Sequence, residues 1–268
     1  MRSSNHEQQE FLQRGWQAFE HDEQLLHWVR RALPAARASV HDPAYAEWLR
    51  YRETWFAGVN ALPNNARGEV DGSGHLAGNA VEFALSLPTI GNIEWDRAQV
   101  SVCYPGYPQP TPDQSDTLFR FRRDRDAAHV DGLLPEGPDR RRHLREFHAF
   151  ILGIPMVDFS ANAAPFVVWE GSHHIIRNAL AERLVQTPPE RWGDEDITDT
   201  YQAARLKVFD SCRRVELHAE PGQAFLVHRL CVHGMAPWHS SASAGADGRM
   251  ICYFRPELAN TVDWLHAP

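Results

Sequence analysis

The sequence predicts a mainly β protein, a sandwich or barrel with helices gathered toward its N-terminus. Three observations carry that prediction: seven short β-rich runs after about residue 90, Pro and Gly punctuation between them, and helical texture concentrated before them. At 268 residues the chain falls within the range of one large domain. It reads as a single domain over 1–268, with a largely helical region over 1–90 packed on a β core over 91–268.

In chain order, residues 4–32 read as helix. Ser4-x-x-Glu7 is similar to a capping box, and Phe11, Leu12, Trp16, Phe19, Leu25, Leu26 and Val29 approximate a helical stripe. A second helical segment, AYAEWLRYRETWF, follows Asp42-Pro43, and 58–74, rich in Gly, Asn and Pro, reads as loop. The strand candidates are AQVSVCYPG, TLFRFRR, HAFILGIPMVDF, PFVVWEG, RRVELHAEPG, QAFLVHRLCVHG and RMICYFRPE. Helices interrupt them at 174–186 and about 196–209, and DRRRHLREF also reads as helix. SSASAGADG, 240–248, reads as a flexible loop joining two strands.

Composition excludes several classes. A hydrophobic fraction of 43% with nine tryptophans belongs to a folded chain, and a net charge of -8 disfavours nucleic acid or an anionic membrane as partner. No apolar run reaches a membrane span, and the polar N-terminus is unlike a signal peptide, so a cytoplasmic location is expected. Cys103, Cys212, Cys231 and Cys252 form no Cys-x-x-Cys pair and read as buried free thiols. Oligomeric state has no signal in the sequence.

Among fifteen histidines, spacing has to select. In His129-Val130-Asp131 the side chains two apart on extended backbone point the same way, so an imidazole and a carboxylate can reach one cation. His218-Ala219-Glu220 has a similar pattern, but it runs into the tight turn Pro221-Gly222 and reads as surface chemistry. With a second histidine from elsewhere, His129 and Asp131 complete the two-histidine, one-carboxylate face that leaves open positions on non-haem Fe(II).

Four segments in order resemble the phytanoyl-CoA dioxygenase family of Fe(II)/2-oxoglutarate oxygenases. They are His129-Val130-Asp131; PFVVWEGSHH, similar to the family's Pro-Gly-Ser-His motif; EPGQAFLVHRLCVHG, similar to its strand and distal histidine; and the arginine of GRMICYF. FLQRGWQAF is similar to its opening helix. The resemblance implies a double-stranded β-helix, a jelly-roll or cupin-like core. It implies Fe(II) held by His129, Asp131 and His233, with Arg249 gripping the distal carboxylate of 2-oxoglutarate. It further implies consumption of O2, release of succinate and CO2, and hydroxylation of a small-molecule substrate, since Asp131 stands where related halogenases have alanine or glycine. This chain departs from the pattern at Glu170, where the family has proline, in the longer gap that puts His233 sixteen residues before Arg249, and at Gly234-Met235, which lacks a small hydroxyl residue.

His228 competes with His233 but has opposite strand parity, and it reads as a satisfied strand histidine. Arg255 competes with Arg249 from the strand end before Pro256. His173 and His174 are read as either pocket-lining or helix-capping, and Trp169 as core or pocket wall. The arginines at 120, 122, 123 and 125, and at 140–142, read as solvated faces in preference to an acid clamp. Two other functions fit the same ligands: a non-catalytic metal-binding jelly-roll module, and a zinc hydrolase.

Overall fold

The computed structural model describes residues 2–91, 93–112 and 114–267, and the Ser4 side chain of the expected capping box lies outside what is described. The elements in order are α1 (Arg2–Arg14), β1 (Trp16–Phe19), α2 (Glu23–His41), β2 (Leu49–Arg50), β3 (Trp55–Phe56), α3 (Asn79–Ser86), β4 (Gln99–Cys103) and α4 (Asp116–Asp124). They continue with β5 (Leu133–Glu136), β6 (Arg141–Leu144), β7 (Phe150–Pro155), β8 (Phe166–Trp169), α5 (Ser172–Leu184) and α6 (Thr198–Ser211). The chain ends through β9 (Arg214–Leu217), β10 (Ala224–His228), β11 (His233–Met235), β12 (Arg249–Phe254) and α7 (Thr261–His266).

A seven-stranded antiparallel sheet, β1-β10-β7-β12-β4-β3-β2, faces a three-stranded sheet, β11-β8-β9, and β5 and β6 form a separate hairpin. Alternation along the large-sheet strands builds two cores. On β12, Ile251 and Tyr253 point toward the small sheet, where they meet Phe166, Val168 and Leu217. Met250, Cys252 and Phe254 point the other way, into the layer that contains Trp28, Val29 and Ala32 of α2. Strands buried on both faces have no polar side, which is why FILGIP, and MICYF after Arg249, are continuous apolar runs. This is the mainly β, double-stranded β-helix core with flanking helices that was expected.

Several local expectations change. The helix expected over 4–32 is broken at Gly15, whose φ of +80° suits glycine, and Trp16–Phe19 pairs with β10. Trp16 and Phe19 therefore serve opposite cores by strand alternation; they are not part of a helical stripe. Helix α2 restarts where the Asp22 carboxylate accepts from the Gln24 and Leu25 amides. AYAEWLRYRETWF is a 3-10 turn followed by the β2–β3 hairpin, so the N-terminal region adds three strands to the large sheet.

TLFRFRR is helix α4, started by the Ser115 hydroxyl accepting from the Leu118 amide. DRRRHLREF contains β6, paired to β5 in the register Leu133 to Leu144. The helices expected at 174–186 and 196–209 are α5 and α6, within a few residues. No helix among the described residues is long and apolar enough to cross a membrane.

Candidate metal centre

The geometry of the centre begins in the backbone. His129 and His233 lie opposite one another as an antiparallel bridge, each amide donating to the other's carbonyl at 2.8 and 2.9 Å. Residues so opposed present their side chains to the same face, and the two imidazole centroids lie 4.6 Å apart. Asp131, two residues on, shares the face of His129. Its Oδ1 lies 3.1 Å from His129 Nε2, and its Oδ2 lies 3.6 Å from His233 Nε2. One donor atom from each of the three residues lies within 4.8 Å of the other two.

Two glycines make that approach feasible. At Gly234 a Cβ would stand 2.2 Å from the Asp126 carbonyl oxygen, so the 126–128 segment can close on β11 only over a bare backbone. At Gly132, φ is +80° and a Cβ would stand 2.2 Å from the Glu146 carbonyl oxygen. The turn before His129 is itself unusual, with Asp126 and Ala127 at φ of 55° and 51°. Arg214 grips the buried Asp126 carboxylate at 2.7 and 3.0 Å and holds that turn.

The imidazoles are oriented alike. His129 Nδ1 lies 2.9 Å from the Ala127 carbonyl, and His233 Nδ1 lies 2.9 Å from the Cys231 carbonyl. A carbonyl can only accept, so each Nδ1 carries the proton and each Nε2 lone pair is turned toward Asp131. Burial, reinforced by the neighbouring His233, lowers the His129 pKa despite the counter-pull of Asp131, although the ring opens to the cavity. For Asp131, burial opposes ionisation, but the Arg255 guanidinium at 3.2 Å outweighs it and holds the carboxyl well below the ordinary range. Two neutral imidazoles and an ionised carboxylate are the donor set a divalent transition metal takes.

The centre opens into a cavity of about 880 Å³. Arg255 lies on its wall with Nη1 3.2 Å from Asp131 Oδ2, while its own amide donates to Asp96 at 2.7 Å. Arg249 lies behind the wall formed by Met235 and Tyr253, fully buried. Its guanidinium donates to the Tyr253 hydroxyl at 2.9 Å and touches Met235 Sδ at 3.7 Å, and Nε has no partner. Among the described residues no carboxylate pairs with it. The two competing arginines are thereby distinguished: Arg255 has an acid partner in Asp131, and Arg249 is a buried cation without one.

The other histidines weighed in the sequence fall away from the centre, and His148, which was not weighed, lines the cavity with its ring between Glu146 and the Arg255 carbonyl. His228 is buried and accepts from the Leu230 amide at 3.0 Å, the satisfied strand histidine that was expected. His173 and His174 neither line the cavity nor cap α5: His173 Nε2 donates to the Leu12 carbonyl at 2.8 Å, and His174 is exposed. His218 is exposed at the end of β9, and Trp169 is core, packed edge-on to Phe209. The solvated-face reading fails at Arg122 and Arg142, both half-buried on the cavity wall. Sequence reasoning also missed Tyr201, whose hydroxyl accepts from the Val130 amide at 3.0 Å between the two loop ligands. A lone tyrosine inside an ordinary helix carries no local signal of that contact.

No protein-family model matches the chain, and no curated protein matches it in sequence. Among solved structures it is similar to the non-heme alpha ketoglutarate dependent carbocyclase SnoK from nogalamycin biosynthesis, with a TM-score of 0.50 and 14% identity over 94% of this chain and 83% of that one. It is similar also to EvdMO1, with a TM-score of 0.50 and 12% identity over 96% of this chain and 50% of that one. These likenesses bear on the fold, and with the strand order they define a double-stranded β-helix.

Proposed function

We propose that this protein is an Fe(II)/2-oxoglutarate-dependent oxygenase that hydroxylates a small-molecule substrate. The observation that carries the reading is the convergence of His129 Nε2, His233 Nε2 and the Asp131 carboxylate on the wall of a large cavity. SnoK, which shares the fold, is by its description non-heme and alpha ketoglutarate dependent. The acid-free guanidinium of Arg249 favours this reading over a zinc hydrolase or a passive metal module, because it calls for a buried anion that neither of those requires.

His129, Asp131 and His233 would hold the iron on one face and leave the positions toward the cavity free. When bound, the iron supplies activation of O2 coupled to decarboxylation of 2-oxoglutarate to succinate and CO2, with one oxygen atom passing to the substrate C–H. The chain's own residues do the rest. The Ala127 and Cys231 carbonyls fix the ring tautomers, and Arg255 keeps Asp131 ionised. Arg249 would take the distal carboxylate of 2-oxoglutarate, with Tyr253 steadying the guanidinium. Phe166 stacks on the His233 ring at 5.4 Å, and Ile151 and Tyr253 line the cavity with it. The test is anaerobic loading with Fe(II) and 2-oxoglutarate, admission of O2, and assay of succinate. Metal-dependent succinate formation that is lost in Asp131→Ala supports the proposal, and full turnover in that variant contradicts it.

A further inference from the structure

Several arginines of this chain are paired with acids: Arg14 with Glu170, Arg37 with Asp247, Arg145 with Glu136, Arg183 with Glu195 and Arg214 with Asp126. The β5–β6 hairpin shows the contrast within one strand. Alternation along β6 sends Arg141 outward to Asp196 and Asp199, and turns Arg142 onto the wall of the metal cavity. Arg205 of α6 reaches the same wall.

Arg142 and Arg205 lie over one ring, with guanidinium carbons 5.6 and 5.3 Å from the Tyr201 centroid, and Arg140 lines the cavity beside them. Among the described residues none of these three guanidinium groups has a carboxylate partner. Arg142 donates to the Leu133 carbonyl and Arg205 to the Ala128 carbonyl, which leaves further N–H groups of each fork free. Burial lowers the Arg142 pKa, and repulsion from Arg205 and Arg140 adds to it against the counter-pull of Tyr201. Like charges held together without a counter-ion, in a chain of net charge -8, form a local positive focus. Another part of the cavity, from the β2–β3 edge, is aromatic: Trp48, Tyr51 and Trp55, with the Arg50 guanidinium over Trp48 and that of Arg122 over Tyr51, so that one face of each of those two rings is already covered.

We infer that the substrate is an amphiphilic organic acid, whose acid group is held by Arg142 and Arg205 while its apolar body lies against Trp48, Tyr51 and Trp55. The inference deepens the reading of the cavity as a substrate chamber and rests on it. Two guanidinium forks bracketing the His129–Asp131 loop would tie the acid end to the same segment that carries two of the metal ligands. The reacting carbon would then be set by its distance from the acid group.

The experiment needs neither iron nor 2-oxoglutarate, so it fails or succeeds apart from the oxygenase assay. The metal-free full-length protein is titrated by calorimetry at low salt with naphthoate and with the neutral, isosteric naphthamide. The acid should bind roughly tenfold or more tightly than the amide, the yield of charge-assisted hydrogen bonds in a half-buried site. Arg142→Gln with Arg205→Gln should abolish that preference while the amide binds as before, and Arg142→Lys with Arg205→Lys should restore part of it. If the two arginines merely brace the loop, acid and amide are affected alike. Equal affinities in the wild type, no binding of the acid, or a preference that survives the double Gln variant overturns the inference. Should the Gln variant fail to fold by thermal melting, the wild-type comparison and the Lys pair still decide.

Discussion

Replacing Arg249 by Met should move stability and ligand affinity in opposite directions. The Arg249 side chain is fully buried; among the described residues it donates to the Tyr253 hydroxyl, touches Met235 Sδ and lies over the Phe159 ring, with Nε unpartnered. A buried charge without a counter-ion costs several kcal/mol, and methionine fills similar space without that cost. The variant forfeits one hydrogen bond to Tyr253, about 1 kcal/mol. The ligand-free Arg249→Met protein should therefore be as stable as the wild type, or more stable by about 1–3 kcal/mol. For 2-oxoglutarate the sign reverses. Loss of a two-pronged bond to its distal carboxylate removes about 3 kcal/mol, roughly a hundredfold in affinity. Urea unfolding of the ligand-free protein gives the first quantity, and anaerobic calorimetry of 2-oxoglutarate with Fe(II) gives the second. A variant destabilised by more than about 2 kcal/mol with undiminished 2-oxoglutarate affinity would refute the assignment and make Arg249 a structural residue.

The buried pair His173 and His228 predicts acid lability. Burial, with Leu12 opposing, pushes His173 down to about 3, and burial together with Arg229 pushes His228 well below its ordinary value. Both rings are neutral in the fold and protonate in the unfolded chain near pH 6.5, so stability is complete above that pH and declines as pH falls through it. At about pH 5.5 each ring costs about 1.4 kcal/mol, and the pair about 3 kcal/mol. Unfolding free energies at about pH 7.5 and about pH 5.5 measure this; His228→Met should remove about half of the loss, and pH-independent stability would contradict the cause. Gly234→Ala places a Cβ 2.2 Å from the Asp126 carbonyl oxygen and forces β11 away from His129. It should cost about 1–3 kcal/mol and weaken metal binding; a melting curve and metal titration like those of the wild type would count against the close-approach argument.

What the sequence made legible follows from where the information lies. FILGIP and MICYF were readable as strands because burial on both faces leaves an uninterrupted apolar run. LFRFRR was misread because four alternating residues fit a strand, while the signal that decides it is the Ser115 cap just before the run. DRRRHLREF was misread because its pairing with β5 lies in another segment, whose own run is only four residues long and contains Pro135. His129, Asp131 and His233 were selected by local spacing and by order along the chain, and the structure brings all three together. His218 and Glu220, the look-alike pair, remain exposed. The roles of Arg255, Tyr201, Arg142 and Arg205 depend on contacts between distant segments, and nothing beside them in sequence points to those partners.

The central claim is that His129, Asp131 and His233 form one metal site. Its most direct test is anaerobic equilibrium dialysis against Fe(II), with metal counted per chain in the wild type, His129→Ala, Asp131→Ala and His233→Ala. The account predicts one tightly held iron in the wild type and its loss in each variant, with far-UV circular dichroism unchanged. Retention of stoichiometric iron by any of the three folded variants would contradict it.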